Sequence, residues 1–181
     1  MISRRAFTIG LGLAPFARAA QADNGFEITL SDAEWRERLP PAQFDILRGH
    51  ATEHAFTNTH LGEHSPLLAE ARPGTYTCAG CGNPVYRSEA KYDSRTGWPS
   101  FWAAIEGGIG PRGEYLLLFV RRTEVHCARC GGHLGHVFED GPPPTGLRHC
   151  LNGLAMGFMP DQSVSTEKIA APSSVQKYPR G

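Results

Sequence analysis

Two Cys-x-x-Cys pairs constrain this chain more than anything else in it: Cys78/Cys81 and Cys127/Cys130, each followed directly by glycine. Such a turn aims two sulfurs at one ion, and the glycine takes the positive φ that the turn requires. Two pairs supply four soft thiolates, a closed tetrahedral set for one Zn2+ that leaves no coordination position for substrate. The metal would be a staple. The 45 residues between Cys81 and Cys127 exceed the spacing of a local finger, so tertiary structure must bring the pairs together and the clip closes a long loop. Two local disulfides, or one thioredoxin-like redox dithiol, are the competing readings. The redox reading lacks the βαβ context in which such dithiols usually sit.

The fifth cysteine, Cys150, stands in the run Arg-His-Cys-Leu-Asn with no partner in the sequence. It is either a buried inert thiol or a nucleophile. On a strand, residues two apart share a face, so Arg148, Cys150 and Asn152 would point one way and His149 and Leu151 the other. A free thiol with a pKa of about 8.5 is only slightly ionised at neutral pH, and a neighbouring guanidinium lowers that value. Arg148 is the expected source of that shift. His133, His136 and Asp140 follow the second pair directly and place two imidazoles and a carboxylate where a metal clip would fix them. A third run, Thr96-Gly97-Trp98-Pro99-Ser100-Phe101-Trp102, gathers aromatics around a proline-fixed turn. Trp98 and Phe101 could floor a small apolar pocket, or could equally be core.

Length and composition set the frame. A chain of 181 residues with 40% hydrophobic content fits one globular domain, and its formal charge is zero. The first 22 residues read differently: Arg4-Arg5 with Phe7, a short apolar stretch from Ile9 to Phe16, then small residues. This is the pattern of a twin-arginine export signal with cleavage after Ala19 or Ala22, and the apolar run is too short to anchor in a membrane. Removing it takes three arginines from the 18 basic residues and leaves 15 against 18 acidic ones. A mildly acidic chain has no basic stripe to meet phosphates, which excludes a nucleic-acid-binding ribbon. Export, to the periplasm, implies an oxidising compartment, and folding around zinc beforehand would protect the four thiols.

Along the chain, Ser31 and Glu34 form a capping box that opens a short helix ending before Pro40-Pro41. A second helix carries Phe44, Ile46 and Leu47, with Gly49 as its stop. Residues 50 to 73 hold His50, His54, His60 and His64 without sustained periodicity and read as an ordered, irregular arm of solvated histidines, the competing reading being two i, i+4 pairs that bind a metal on a helix. From Gly74 short strands follow: Thr75 to Cys78, Pro84 to Arg87, Tyr115 to Arg122, Thr123 to Cys127, His133 to Phe138 and Leu147 to Leu151. Leu116 to Val120 is the one continuous apolar run, expected as a central core strand. The domain therefore spans 23–165, and residues 166–181 form a loosely held tail rich in Ser, Pro and Lys.

Taken together, Cys-Ala-Gly-Cys-Gly (78–82), Gly-Trp-Pro-Ser-Phe (97–101), Arg-Thr-Glu-Val-His-Cys-Ala-Arg-Cys-Gly (122–131), His-Leu-Gly-His-Val-Phe (133–138) and Pro-Thr-Gly-Leu-Arg-His-Cys-Leu-Asn (144–152) resemble the B type of peptide methionine sulfoxide reductase, specific for the R epimer. The resemblance covers roughly residues 30 to 160. It implies a mainly β fold, two antiparallel sheets in a tent-like arrangement held by a four-cysteine zinc, with short N-terminal helices. It makes Cys150 the nucleophile that attacks the sulfoxide sulfur and becomes a sulfenic acid. Trp98 receives the substrate methyl, while His133, His136, Asp140, Arg148 and Asn152 surround the reacting centre. The two histidines would bind and protonate the sulfoxide oxygen, and Arg148 would stabilise the thiolate.

This chain departs from the family pattern in three places. The resolving cysteine that many members carry before Gly-Trp-Pro-Ser-Phe is here Thr96. With four cysteines on zinc, an external reductant, a thioredoxin-like protein, must then reduce the sulfenic acid. The stretch His60 to Pro73 is longer than usual, and Gly153-Leu154 stands after Asn152 where a small hydroxyl residue is common. The expected partners are oxidised proteins carrying methionine-R-sulfoxide and that reductant, with the chain a monomer. The rival reading is a non-catalytic zinc module of the same fold that binds a partner protein; it has no use for Arg148, Cys150 and Asn152 on one face beside paired histidines.

Overall fold

The computed structural model describes residues 25–117 and 120–162. The expected export signal, the tail from 166, and Leu118 and Phe119 of the apolar run lie outside the described residues.

Two short helices come first. In α1 (Asp32–Arg38) the Ser31 side chain accepts from the Glu34 amide while Glu34 accepts from the Ser31 amide, the reciprocal box expected from the sequence. Pro41 opens α2 (Pro41–Gly49), where a missing amide proton costs nothing. Its end differs from expectation. Gly49 is the last helical residue, and His50 takes the left-handed cap at φ 58, which turns the chain back across the molecule.

The strands are β1 (Thr59–His60), β2 (Glu63–His64), β3 (Gly74–Cys78), β4 (Pro84–Arg87), β5 (Lys91–Tyr92), β6 (Ser100–Phe101), β7 (Ile109–Leu117), β8 (Val120–Cys127), β9 (His133–Phe138), β10 (Arg148–Leu151) and β11 (Met156–Pro160). Among the described residues they form a six-stranded sheet ordered β5-β6-β10-β9-β8-β7, a three-stranded sheet ordered β11-β3-β4, and the hairpin β1-β2. All pairs are antiparallel. The mainly β, two-sheet architecture with short N-terminal helices is as expected.

One strand is not. The apolar run from Leu116 is divided between the end of β7 and the start of β8, and β7 is the sheet's edge. A short apolar run carries no periodicity to fix its place. The strand that is central in register is β10, which pairs with β6 on one side and β9 on the other.

The core explains the order. Tyr76, Val85 and Tyr86 of the small sheet meet Phe101, Val125, Leu134 and Leu151 of the large one, with Trp35, Ile46 and Leu47 of the helices at one end. Burying such side chains contributes roughly 1.5–3 kcal/mol each before the entropy of ordering them is set against it. Trp35 and Leu47 approach Gly80, and Leu47 also approaches Gly132, so α1 rests on the first Cys-x-x-Cys turn and α2 on both.

Candidate functional site

The first Cys-x-x-Cys turn joins β3 to β4 and the second joins β8 to β9, so the two turns belong to different sheets. The fold nevertheless brings all four sulfurs within 4.8 Å of one another. Cys78 Sγ lies 3.7 Å from Cys130 Sγ, and Cys81 Sγ 3.5 Å from Cys127 Sγ. A tetrahedron with Zn–S bonds of about 2.3 Å has sulfurs about 3.8 Å apart, whereas a disulfide needs about 2.05 Å. All five cysteines are free, so two local disulfides are not what the fold builds. Crowding also forces the thiols apart in acidity: hydrogen bonds from Cys130 and the other thiols push Cys127 down, while the bond to Cys127 pushes Cys78 far up. A dication removes that conflict, because it lets all four sulfurs ionise. Four close cysteines suited to a metal are thus present, and their donor chemistry fits zinc.

Away from this cluster a row of side chains crosses the large sheet. Tyr92 of β5 pairs with Ser100 of β6, Ser100 with Cys150 of β10, Cys150 with His136 of β9, and His136 with Glu124 of β8. Residues directly opposite in an antiparallel pair lie on the same face with Cβ atoms about 4.5–5.5 Å apart. Register alone therefore assembles this line. Its pairing is tight at Gly135, where any Cβ would collide with the Cys150 carbonyl oxygen. The alternation expected of β10 holds: His149 and Leu151 are buried, His149 bonding Tyr86 Oη through Nδ1 at 3.1 Å, while Arg148 and Cys150 are half-buried on the other face.

Cys150 opens into a cavity of about 160 Å³ whose walls include Thr52, Trp98, His136, Phe138 and Asn152. Arg148 sits beside it with its guanidinium 4.4 Å over the Phe138 ring, and donates from Nε and Nη2 to the two oxygens of Asp140 at 2.8 and 2.9 Å. The acidity of Cys150 is not as the sequence suggests. Burial raises the thiol above the ordinary cysteine range, and the opposing pulls of Thr96, Arg148 and Ser100 do not cancel it. Arg148 cannot do more because its charge is already matched by Asp140.

His133 lies one turn from the second metal knuckle. Strand alternation would separate it from His136, yet their rings meet edge to face at 5.2 Å. The pairing of β8 with β9 slips between Val125 and His126, opposite this stretch, and breaks the alternation. His133 Nδ1 is 2.8 Å from Glu124 Oε1, and His50 Nδ1 is 3.1 Å from the same oxygen with its ring stacked on His133. Glu124 is 1% exposed. Burial would raise its pKa, but the His133 bond and the nearby imidazoles hold it below the usual value. A carboxylate accepting at Nδ1 fixes the ring so that Nε2 faces elsewhere.

Sequence reading missed both Glu124 and His50. A lone glutamate alternating with Val125 looks like a solvent-facing strand residue, and only the fold reveals that both faces of β8 are covered here. The arm holds a further buried acid. Glu53 is 1% exposed, and its carboxylate accepts from Asn58 Nδ2 at 2.7 Å, Gly153 N at 2.7 Å and Leu154 N at 2.9 Å. Its backbone contributes as well, for the amide donates to Asn152 Oδ1 and the carbonyl accepts from Trp98 Nε1, both at 3.1 Å. Glu53 thus holds two cavity walls at once. Gly97 completes the clamp, since its φ of 88 and the close approach of Phe56 N leave no room for a Cβ.

Of the expected pocket residues, Trp98 lines the cavity but Phe101 does not. Phe101 is wholly buried, 4.6 Å from the Tyr86 ring and 4.9 Å from Tyr76. An aromatic two strands into a hydrophobic interior is worth more as core than as floor. Two of the four arm histidines are also not merely solvated: His50 joins Glu124, and His60 Nε2 pairs with Asp45 Oδ2 at 2.6 Å.

Comparison with known proteins agrees with this geometry. The SelR domain family model matches residues 39–160. The chain is 46% identical over 134 residues to the peptide methionine sulfoxide reductase MsrB of Agrobacterium fabrum, covering 74% of this chain and 94% of that protein. It is 44% identical over 147 residues to the MsrB of Bradyrhizobium diazoefficiens, covering 81% and 99%. It is 41% identical over 136 residues to the chloroplastic peptide methionine sulfoxide reductase B1 of Arabidopsis thaliana, covering 75% and 64%. The chain therefore belongs to the SelR family, the B-type peptide methionine sulfoxide reductases, and is an oxidoreductase acting on methionine sulfoxide in proteins.

Proposed function

We propose that the chain reduces the R epimer of protein-bound methionine sulfoxide by way of Cys150. The observation that carries this reading is one half-buried thiol opening into a cavity shared with an indole, an imidazole and an amide. Trp98 and Phe138 offer apolar surface to the methyl group. His136, with His133 behind it, offers ring nitrogens for the sulfoxide oxygen, and Asn152 orients it. The Cys150 sulfur attacks the substrate sulfur, which accepts two electrons and leaves as thioether. Oxygen and the thiol proton end on Cys150 as a sulfenic acid. Arg148, pinned by Asp140, stabilises the anionic sulfur.

Among the described cysteines only Cys150 lies outside the metal cluster. Regeneration then falls to an external dithiol of thioredoxin type. Its first thiol attacks the Cys150 sulfur and expels the oxygen as water, giving a mixed disulfide; its second thiol displaces Cys150 and leaves the partner oxidised. Zinc on Cys78, Cys81, Cys127 and Cys130 is structural in this reading: it ties the turn of one sheet to the turn of the other and supplies nothing to the reacting sulfur. Export by the twin-arginine route belongs to the same proposal, and a reporter fused behind residues 1–22 tests it by losing export when Arg4 and Arg5 become lysines.

The deciding experiment is turnover of blocked methionine sulfoxide epimers with dithiothreitol. The R epimer is consumed, the S epimer is not, and Cys150→Ser falls to background. Full activity in that variant, or preference for the S epimer, overturns the proposal.

A further inference from the structure

Thr96 stands where many relatives have a resolving thiol, and the structure gives it company. Its Oγ1 lies 3.9 Å from Cys150 Sγ and 2.8 Å from Ser94 Oγ, which in turn lies 2.7 Å from Ser100 Oγ. Ser100 is fully buried and its hydroxyl donates to the Trp98 carbonyl at 3.1 Å. That last bond orients the whole series. A carbonyl can only accept, so while Ser100 donates to Trp98 its oxygen accepts from Ser94, and Ser94 from Thr96. The chain ends at Thr96 Oγ1, which is left as an acceptor for the Cys150 S–H.

Ionisation of Cys150 reverses only the first link. A thiolate accepts and cannot donate, so the Thr96 hydroxyl rotates toward the sulfur and gives up its bond to Ser94, while Ser94 still donates to Ser100 and Ser100 to the Trp98 carbonyl. One rotor turns and no buried hydroxyl loses its acceptor. The backbone holds the rotor in place: Gly97 O accepts from Phe56 N at 2.8 Å and from Asn58 Nδ2 at 3.2 Å, which fastens the loop carrying Thr96 to the Glu53 arm.

We propose that Thr96 is a catalytic residue, a switchable hydroxyl that donates to the Cys150 sulfur when it is thiolate and to the sulfur-bound oxygen once the sulfenic acid has formed, in the place where a resolving thiol would otherwise stand. This rests on the reading of Cys150 as the nucleophile. The other groups facing Cys150 are Ser100 and Tyr92 from β6 and β5, His136 from β9 with Glu124 beyond it, and Arg148 on its own strand, paired with Asp140 from the loop after β9. None of them changes partner in a Thr96 substitution. Ser94 stays bonded to Ser100, and Ser100 to the Trp98 carbonyl.

The test is a single turnover of the zinc-loaded enzyme with a peptide methionine-R-sulfoxide and no reductant. Methionine release and capture of the sulfenic acid by dimedone are followed in time. Thr96→Val keeps the shape and removes the donor; Thr96→Ser keeps the donor. Losing a hydrogen bond to a charged sulfur slows methionine release about tenfold in Thr96→Val, with Thr96→Ser within about twofold of the parent. The dimedone adduct also forms faster relative to methionine release in Thr96→Val, because the oxygen is no longer held. Equal release rates in Thr96→Val and the parent overturn the role of Thr96, as does failure of Thr96→Ser to recover. No methionine release from the parent overturns instead the reading of Cys150, so the two failures are distinct.

Discussion

Arg148 gives both Nε and Nη2 to Asp140, at 2.8 and 2.9 Å, and so approaches Cys150 as half of an ion pair. Burial then decides the thiol's acidity and pushes it up. That shift favours the protonated thiol in the free enzyme. Its alkylation by iodoacetamide therefore rises about tenfold per pH unit from 7 to 8.5 without a plateau. A plateau near neutrality would mean that the guanidinium wins. Asp140→Asn releases Arg148 and moves the alkylation profile to lower pH by a few tenths of a unit, while Arg148→Ala moves it the other way, each roughly what a partly screened charge supplies.

Glu53 supports the cavity through both its carboxylate and its backbone. Glu53→Ala leaves the buried amides of Gly153 and Leu154 and the Asn58 amide without their acceptor, and costs about 3 kcal/mol in a urea unfolding curve. Where the variant is still folded, the Gly153-Leu154 turn after Asn152 and the Asn58 side chain that holds the Gly97 carbonyl lose their common partner, and KM rises more than kcat falls. A variant with unchanged KM would show that the arm is scaffold alone.

Glu124 is held below its usual pKa by His133 and its neighbours despite burial. A carboxylate depressed in the folded state contributes stability that is fully present above its unfolded value near 4.5 and is lost as pH falls through the folded one. Acid unfolding of the parent is thus steeper below pH 4.5 than that of Glu124→Gln. At pH 7 the same variant should reduce kcat about tenfold, because His133 loses the charge that orients its ring.

The sulfurs of Cys78, Cys81, Cys127 and Cys130 clip one sheet to the other, so metal and fold should leave together. One zinc per chain is expected by metal analysis. Stripping it with chelator at raised temperature should abolish the cooperative thermal transition, since binding of about 10–16 kcal/mol exceeds the stability of an ordinary domain. An apo form that melts normally would contradict the staple.

The Thr96 Oγ1 to Cys150 Sγ distance of 3.9 Å places a thiol at position 96 within reach of the oxidised sulfur after a small rotation. Thr96→Cys should end a single turnover with two fewer hydrogens on the intact protein instead of one more oxygen. Retention of the oxygen would show that the loop clamped by Gly97 is too stiff to close.

What the sequence reveals here follows the range of each signal. The capping box at Ser31 and Glu34, the knuckles, and the alternation of Arg148 and Cys150 with His149 and Leu151 are local patterns, and the structure reproduces them. The roles of Glu53 and Glu124 depend on partners 99 and 9 residues away along the chain, across strands whose order no local pattern encodes. The run from Leu116 misleads for the same reason, since an unbroken apolar stretch fixes neither its strand's place nor its neighbours. Phe101 reads equally as floor or core until Tyr76 and Tyr86 close around it.

The central claim is that Cys150 takes the substrate's oxygen and has no partner thiol in its own chain. Intact-mass measurement of the zinc-loaded enzyme after one equivalent of peptide methionine-R-sulfoxide, without reductant, addresses it directly. The account predicts the mass of one added oxygen, localised by peptide mapping to Cys150 and absent from Cys150→Ser. Loss of two hydrogens through a disulfide between Cys150 and any of Cys78, Cys81, Cys127 or Cys130 would contradict it.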